Sequence, residues 1–211
     1  MLYREHNETM RASSNATALS GMLDVYESVL DGETACYCSA PVTSGKRYID
    51  WLKRIGKNFA DIDAAHADYH EHHFQEVIAP NRAHAQRIIQ KLRTERGQVV
   101  IDPTAIPYIE GWTQHDWRSF WQRVIERYVR TAFFIDDWQY SNGCVYEFWV
   151  AHKKGIPTLD EKGRALTLEA GITLIEKALA EMRQQGTPAS FIESVLPDLA
   201  ALIAARDSVS T

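Results

Sequence analysis

Apolar residues recur along this chain at two spacings, and the alternation between them predicts the fold. From Leu19 to Leu30, the residues Met22, Leu23, Tyr26, Val29 and Leu30 fall at helical intervals, and Asp31-Gly32 closes the run. Residues 1 to about 17 are polar and aperiodic, so a frayed start is expected there. The short apolar run 34–41, stopped by Pro41, predicts a buried strand. A turn at 43–47 leads into a helix carrying Tyr48, Ile49, Trp51, Leu52 and Ile55. The histidine-rich stretch 58–80 has no assignable period, and a helix is expected from about 82 to 96. Further strands are predicted at 98–102, 132–136 and 156–159. Between the second and third, Thr113 and Asp116 have the spacing of a capping box. The helix behind them puts Trp117, Phe120, Trp121, Val124, Ile125 and Tyr128 on one stripe. Helices are also predicted at 142–154, 167–185 and 188 to about 206.

Strands alternating with helices indicate an α/β domain, with a mainly parallel sheet of four to five strands flanked by helices. The α/β block covers 34–160. Residues 1–33 form a helical extension before it, and 161–211 supply C-terminal helices that pack on the same domain. In such sheets ligands lie beyond the carboxyl ends of the strands. Two loops hold that position, 37–47 and 136–147.

Composition narrows the classes. The 211 residues are 45% hydrophobic and 24% charged, enough for one domain with a core that needs no metal or disulfide staple. A net charge of -5 argues against a surface that coats nucleic acid. No window approaches the ~18 apolar residues of a membrane span, and the first ten residues carry charges where an export signal would be apolar. Three cysteines without a C-x-x-C pair fit a reducing cytoplasm.

The chemistry concentrates in the second loop, Asp136-Asp-Trp-Gln-Tyr-Ser-Asn-Gly-Cys-Val-Tyr-Glu147. Ser141 is placed to cap the following helix, leaving the N–H groups of Asn142, Gly143 and Cys144 as a seat for an anion. Gly143 and Glu147, four apart, share a face, and the glycine leaves room for a substrate ring before the carboxylate. A carboxylate so placed can attack or stabilise an oxocarbenium-like sugar carbon. An ordinary helix start with a surface glutamate has the same spacing.

The segment Trp138-x-x-Ser141-x-Gly143-x-x-Tyr146-Glu147, with Ala151 behind it, resembles the signature of the nucleoside 2-deoxyribosyltransferase-like superfamily. Tyr37-Cys-Ser39-Ala-Pro41-Val-Thr43 is similar to its first strand and loop. The resemblance spans about 34–160. It implies a single Rossmann-like (flavodoxin-like) domain, no cofactor or metal, and assembly as a homodimer or larger oligomer, for which the amphipathic C-terminal helices are candidates. It implies Glu147 as nucleophile or charge stabiliser, and Tyr37 with its hydroxyl near that carboxylate. A buried strand aromatic fits Tyr37 equally. Ser141 stands where transferases acting on free nucleosides usually carry aspartate and nucleotide N-glycosidases carry serine. An aspartate would repel a 5'-phosphate, whereas a hydroxyl at a helix N-terminus binds one. Ser39, Thr43, Ser44 and Gly45 are implied as substrate-binding. Lys46 and Arg47 either complete a phosphate cradle or are solvated first-turn charges. Trp138 is a candidate to stack on the base.

Two departures stand out: Ala40 replaces the usual glycine before the proline, and Arg123 falls where many members have a helix aspartate. Protonation of the leaving base is therefore unassigned, with Asp102, Glu110 and Asp116 as candidates by loop position. The cluster His66, His70, His72 and His73 offers either metal ligands or, in better agreement with the implied chemistry, a polar insertion over the crevice. Cys144, at a helix start, invites a lowered thiol pKa. The expected activity is hydrolysis of a (deoxy)nucleoside 5'-monophosphate to free base and (deoxy)ribose 5-phosphate. Alternatives are a deoxyribosyltransferase and a non-catalytic nucleotide or ADP-ribose-type sensor.

Overall fold

The computed structural model describes residues 2–30, 32–63, 66–97, 99–107 and 109–209. Four strands form one sheet: β1 (Ala35–Ser39), β2 (Val100–Ile101), β3 (Val129–Phe134) and β4 (Thr158–Asp160). Their order is β2-β1-β3-β4 and every pairing is parallel, as the alternation of strand and helix predicts. The chain winds outward in both directions from β1 and β3, so the sheet has its switch point between them. Ser39 and Phe134, the last residues of the two strands, are paired across that point.

Every residue of β1 is buried, and its side chains alternate between two faces. Cys36 and Cys38 meet Ala85, Ile89 and Leu92 of α4 (Ala79–Arg96). Tyr37 points the other way, into the larger core shared by α1 (Leu2–Leu30), α5 (Gln114–Tyr128) and α6 (Asn142–Lys153). Two C-terminal helices, α7 (Leu168–Gln184) and α8 (Ser190–Val209), close the same core with Ile175, Leu179, Ile192 and Leu199. Phe191, Leu196, Leu202 and Ile203 of α8 are only partly buried against it.

The first helix begins at Leu2, well before the frayed start ends in the sequence reading. A tertiary tie accounts for part of this: Asn15 Nδ2 donates to Gly111 O and to Asp116 Oδ2. From Ala67 onward the histidine-rich stretch is also helical. It contains α3 (Ala67–His73), which passes through a π-helical turn, Phe74–Ile78, into α4. Tyr69 and His73 pack with Tyr48 and Trp51 of α2 (Lys46–Arg54), and Val77 is buried in the same cluster. This stripe at 69, 73 and 77 escapes a hydrophobic count because one member is a histidine. The expected helix stop at Asp31 and strand start at Gln98 lie outside the described residues. The capping box at the start of α5 is formed, with Thr113 Oγ1 accepting from Asp116 N and Asp116 Oδ2 accepting from Thr113 N.

Candidate active site

The loops leaving β1 and β3 run side by side at the switch point. Gly45 makes this possible: its φ of +95° disfavours side chains, and a Cβ there would lie 3.2 Å from Pro41 Cβ. Opposite it, Asp137 takes a left-handed conformation (φ 71°) that turns the β3 loop into one short 3-10 turn, Trp138–Tyr140. That turn delivers Ser141 to the start of α6, where its Oγ accepts from Cys144 N at 3.5 Å. The amides of Asn142 and Gly143 precede any carbonyl of their own helix and remain available to a ligand.

One turn into α6, Glu147 is 8% exposed, and its Oε2 accepts a 2.6 Å hydrogen bond from Ser39 Oγ at the end of β1. Tyr37, two residues back on the same strand face, is fully buried and its hydroxyl has no hydrogen-bond partner. It nevertheless lies close enough to Glu147 for each group to shift the other's titration. Burial raises the Glu147 pKa to about 7 against the opposing pull of Ser39 and Tyr37. Burial and the same carboxylate push the Cys144 thiol up to about 12, so the expected activation by the helix start is overturned.

Two cavities meet at Glu147, and both are also lined by Gly143 and Gln114. The first, of about 520 Å³, takes in Thr43, Ser44, Gly45 and the turn from Tyr140 to Cys144. Tyr48, Phe59, Tyr69 and His73 form its far wall, so the histidine-rich insertion contributes to the site. His73 Nε2 lies 2.9 Å from Thr43 O, which ties that insertion to the β1 loop. The second cavity, of about 330 Å³, is lined by Trp117, Trp121, Ile106, Tyr146, Arg82 and Arg118, among others. Among the described residues lining either cavity, Glu147 is the sole carboxylate. A Cβ on Gly143 would meet only Ser141 Oγ, at 3.9 Å, so the space beside Glu147 is open.

The structure thus brings Glu147, Ser39, Tyr37, Ser141, Asn142, Gly143, Thr43, Ser44 and Gly45 to one place. It does not bring Trp138, which is 3% exposed and packs against Phe134 and Phe148; the 3-10 turn directs its ring into the core. Lys46 pairs with Asp50 at 2.6 Å and with Glu181 at 3.3 Å, and Arg47 Nε donates to Asn81 Oδ1. Neither lines the cavities. Asp102 and Asp116 are occupied in capping Thr104 and Thr113, and Glu110 is exposed outside both cavities. Among the described residues no group of three His, Cys, Asp or Glu side chains is placed to hold a metal. Nor is any described helix long and apolar enough to cross a membrane. The α5 contribution of Gln114, Trp117 and Arg118 was absent from the sequence reading. Its signal was positional: these residues lie in the first turns after the capping box.

Comparison with protein-family models, curated proteins and solved structures finds no match.

Proposed function

We propose that this protein is an N-glycosidase that hydrolyses a (deoxy)nucleoside 5'-monophosphate. The reading rests on one observation: a single buried carboxylate, Glu147, lies where two cavities join, held by Ser39 and faced by a glycine. A sugar at that junction presents C1' to the carboxylate and sends its two substituents in opposite directions. The 5'-phosphate fits the first cavity, where the amides of Asn142 and Gly143 and the side chains of Thr43 and Ser44 supply donors. The base fits the second, against the indoles of Trp117 and Trp121.

As the C1'–N bond breaks, its electron pair leaves with the base and positive charge develops on the sugar. Glu147 then either bonds to C1' or stabilises the cation until water adds its oxygen there. Ser39 positions the carboxylate, and the buried Tyr37 hydroxyl beside it favours the anion that the reaction needs. Water, not a second base, is the acceptor favoured by Ser141, since an uncharged group at that helix start tolerates a phosphate. The chemistry calls for no cofactor or metal, and three cysteines without a C-x-x-C pair accord with a reducing cytoplasm.

Chromatographic detection of free base from a panel of nucleoside monophosphates is the test. Glu147→Gln should reduce release by roughly a thousandfold or more while the circular dichroism spectrum is unchanged. Release at the wild-type rate by that variant would end the assignment, and a new nucleoside formed when a second base is added would change it to transfer.

A further inference from the structure

The second cavity has a chemical bias that the glycosidase reading leaves unused. Of its polar groups, Thr104 Oγ1 already donates to Asp102 Oδ1 at 2.7 Å, and the Tyr146 hydroxyl donates to Gln122 Oε1 at 2.6 Å. The side-chain donors that remain are the Thr43 hydroxyl, the Gln114 amide, the indole N–H groups of Trp117 and Trp121, and two guanidinium groups, Arg82 and Arg118, which alone among them carry charge. No carboxylate other than Glu147 lines the cavity to neutralise them. Arg118 is the more fixed of the two. Its guanidinium carbon lies 4.4 Å over the centre of the Phe191 ring, a cation–π contact that uses none of its N–H donors, whereas Arg82 is exposed.

Resting on the glycosidase reading, we infer that Arg118 selects the leaving group: the enzyme takes oxo-bases, of the uracil, hypoxanthine or xanthine type, in preference to amino-bases. A guanidinium only donates, so it complements a ring carbonyl and opposes an exocyclic amine. It also answers how the base departs without an acid beside it. The pair from the C1'–N bond moves onto the ring nitrogen and is delocalised onto the carbonyl oxygen, where Arg118 meets the developing charge. The base leaves as its anion and takes a proton from solvent, while the water that attacks C1' supplies the sugar hydroxyl. An amino-base lacks that carbonyl in the matching position and has no comparable stabilisation.

Two substrate pairs differ only in this feature, UMP with CMP and IMP with AMP, and each is to be run in the ribo and deoxy series. Wild-type protein should favour the oxo member of each pair by roughly tenfold or more in kcat/KM. Arg118→Gln should bring both ratios towards one by losing the oxo substrates, with the amino substrates changed by less than about threefold. Arg118→Lys, which keeps the charge, should retain part of the preference and guards against a variant that fails to fold. Calorimetry with free uracil, cytosine, hypoxanthine and adenine tests the cavity independently of turnover and of any phosphate. Tighter binding of the oxo-bases that disappears in Arg118→Gln, without cleavage of any nucleotide, supports the selectivity and removes the glycosidase reading. Cleavage without oxo preference, or an equal fall on all four nucleotides in Arg118→Gln, overturns the selectivity and leaves the glycosidase. No binding of any base together with no cleavage overturns both.

Discussion

Glu147 is held in a place that a carboxylate does not favour. Its pKa rises to about 7 because burial removes water from the charged form, and Ser39 recovers only part of the loss. Two consequences can be measured. On the proposed function the reacting form is the anion, so kcat/KM should climb with pH along an acid limb near 7, well above the usual glutamate range; a limb near 4.5 would contradict this. The second consequence concerns stability. A native pKa above the unfolded value means that the folded state binds the proton more tightly. The stability linked to that proton is complete below about 4.5 and is lost as pH rises through about 7. Glu147→Gln, always neutral and still able to accept from Ser39, should therefore stabilise the fold by roughly 3 kcal/mol at pH 8 and by little at pH 4. Urea unfolding at both pH values checks the sign, and equal effects at the two would refute it. On the proposed function, that gain in stability would accompany loss of activity, the pattern of a group kept for chemistry at a cost to the fold.

At the scale of elements, α6 carries the site on one side and the core on the other, and two glycines around it separate these duties. Gly143→Ala places a methyl in open space, 3.9 Å from Ser141 Oγ, so the fold should tolerate it within about 0.5 kcal/mol. The same methyl occupies the space beside Glu147, and kcat/KM should fall by roughly a hundredfold. Gly171 on α7 is the converse: a Cβ there would sit 2.2 Å from Cζ of the fully buried Phe148, the neighbour of Glu147. Gly171→Ala should cost about 1–3 kcal/mol of stability by overpacking, seen as a lowered melting temperature. An inactive but stable Gly143→Ala beside an unstable Gly171→Ala is the expected pattern; two equally stable, equally active variants would contradict it. The first of these roles was legible in the chain, since Gly143 and Glu147 are local neighbours four apart. So were Ser141 as a cap and all four strands, because each depends on a period or a short spacing, whereas Tyr37 and Ser39 entered through the resemblance. Contacts between distant segments were not legible. The Lys46–Glu181 pair, the inward rotation of Trp138, and the cavity that Arg118 shares with Tyr146 arise from packing that no local pattern records.

The whole molecule shares one core across the three blocks into which the sequence divides. Leu19 and Leu23 of α1, Tyr37 and Phe134 of the sheet, and Ile192, Val195 and Leu199 of α8 all belong to a single buried cluster. The C-terminal block also builds the site wall, through Met182, Thr187 and Pro188. A polar clasp fastens that wall to the loop bearing Phe59. Buried Gln185 donates from Nε2 to Lys57 O at 2.7 Å, and Phe59 N donates to Gln185 O at 3.3 Å. Breaking such a clasp leaves buried polar groups unsatisfied, while removing α8 uncovers apolar side chains whose burial is worth roughly 1.5–3 kcal/mol each. Three such side chains account for most of the margin of an ordinary domain. Deletion of residues 190–211 should therefore abolish cooperative unfolding altogether, not trim a peripheral helix. The full chain should melt in one calorimetric transition whose van't Hoff and calorimetric enthalpies agree. The shortened chain should lose that transition and bind a hydrophobic dye. A shortened protein that still melts sharply would show that the α/β block is self-sufficient, and that the C-terminal helices are an accessory to it.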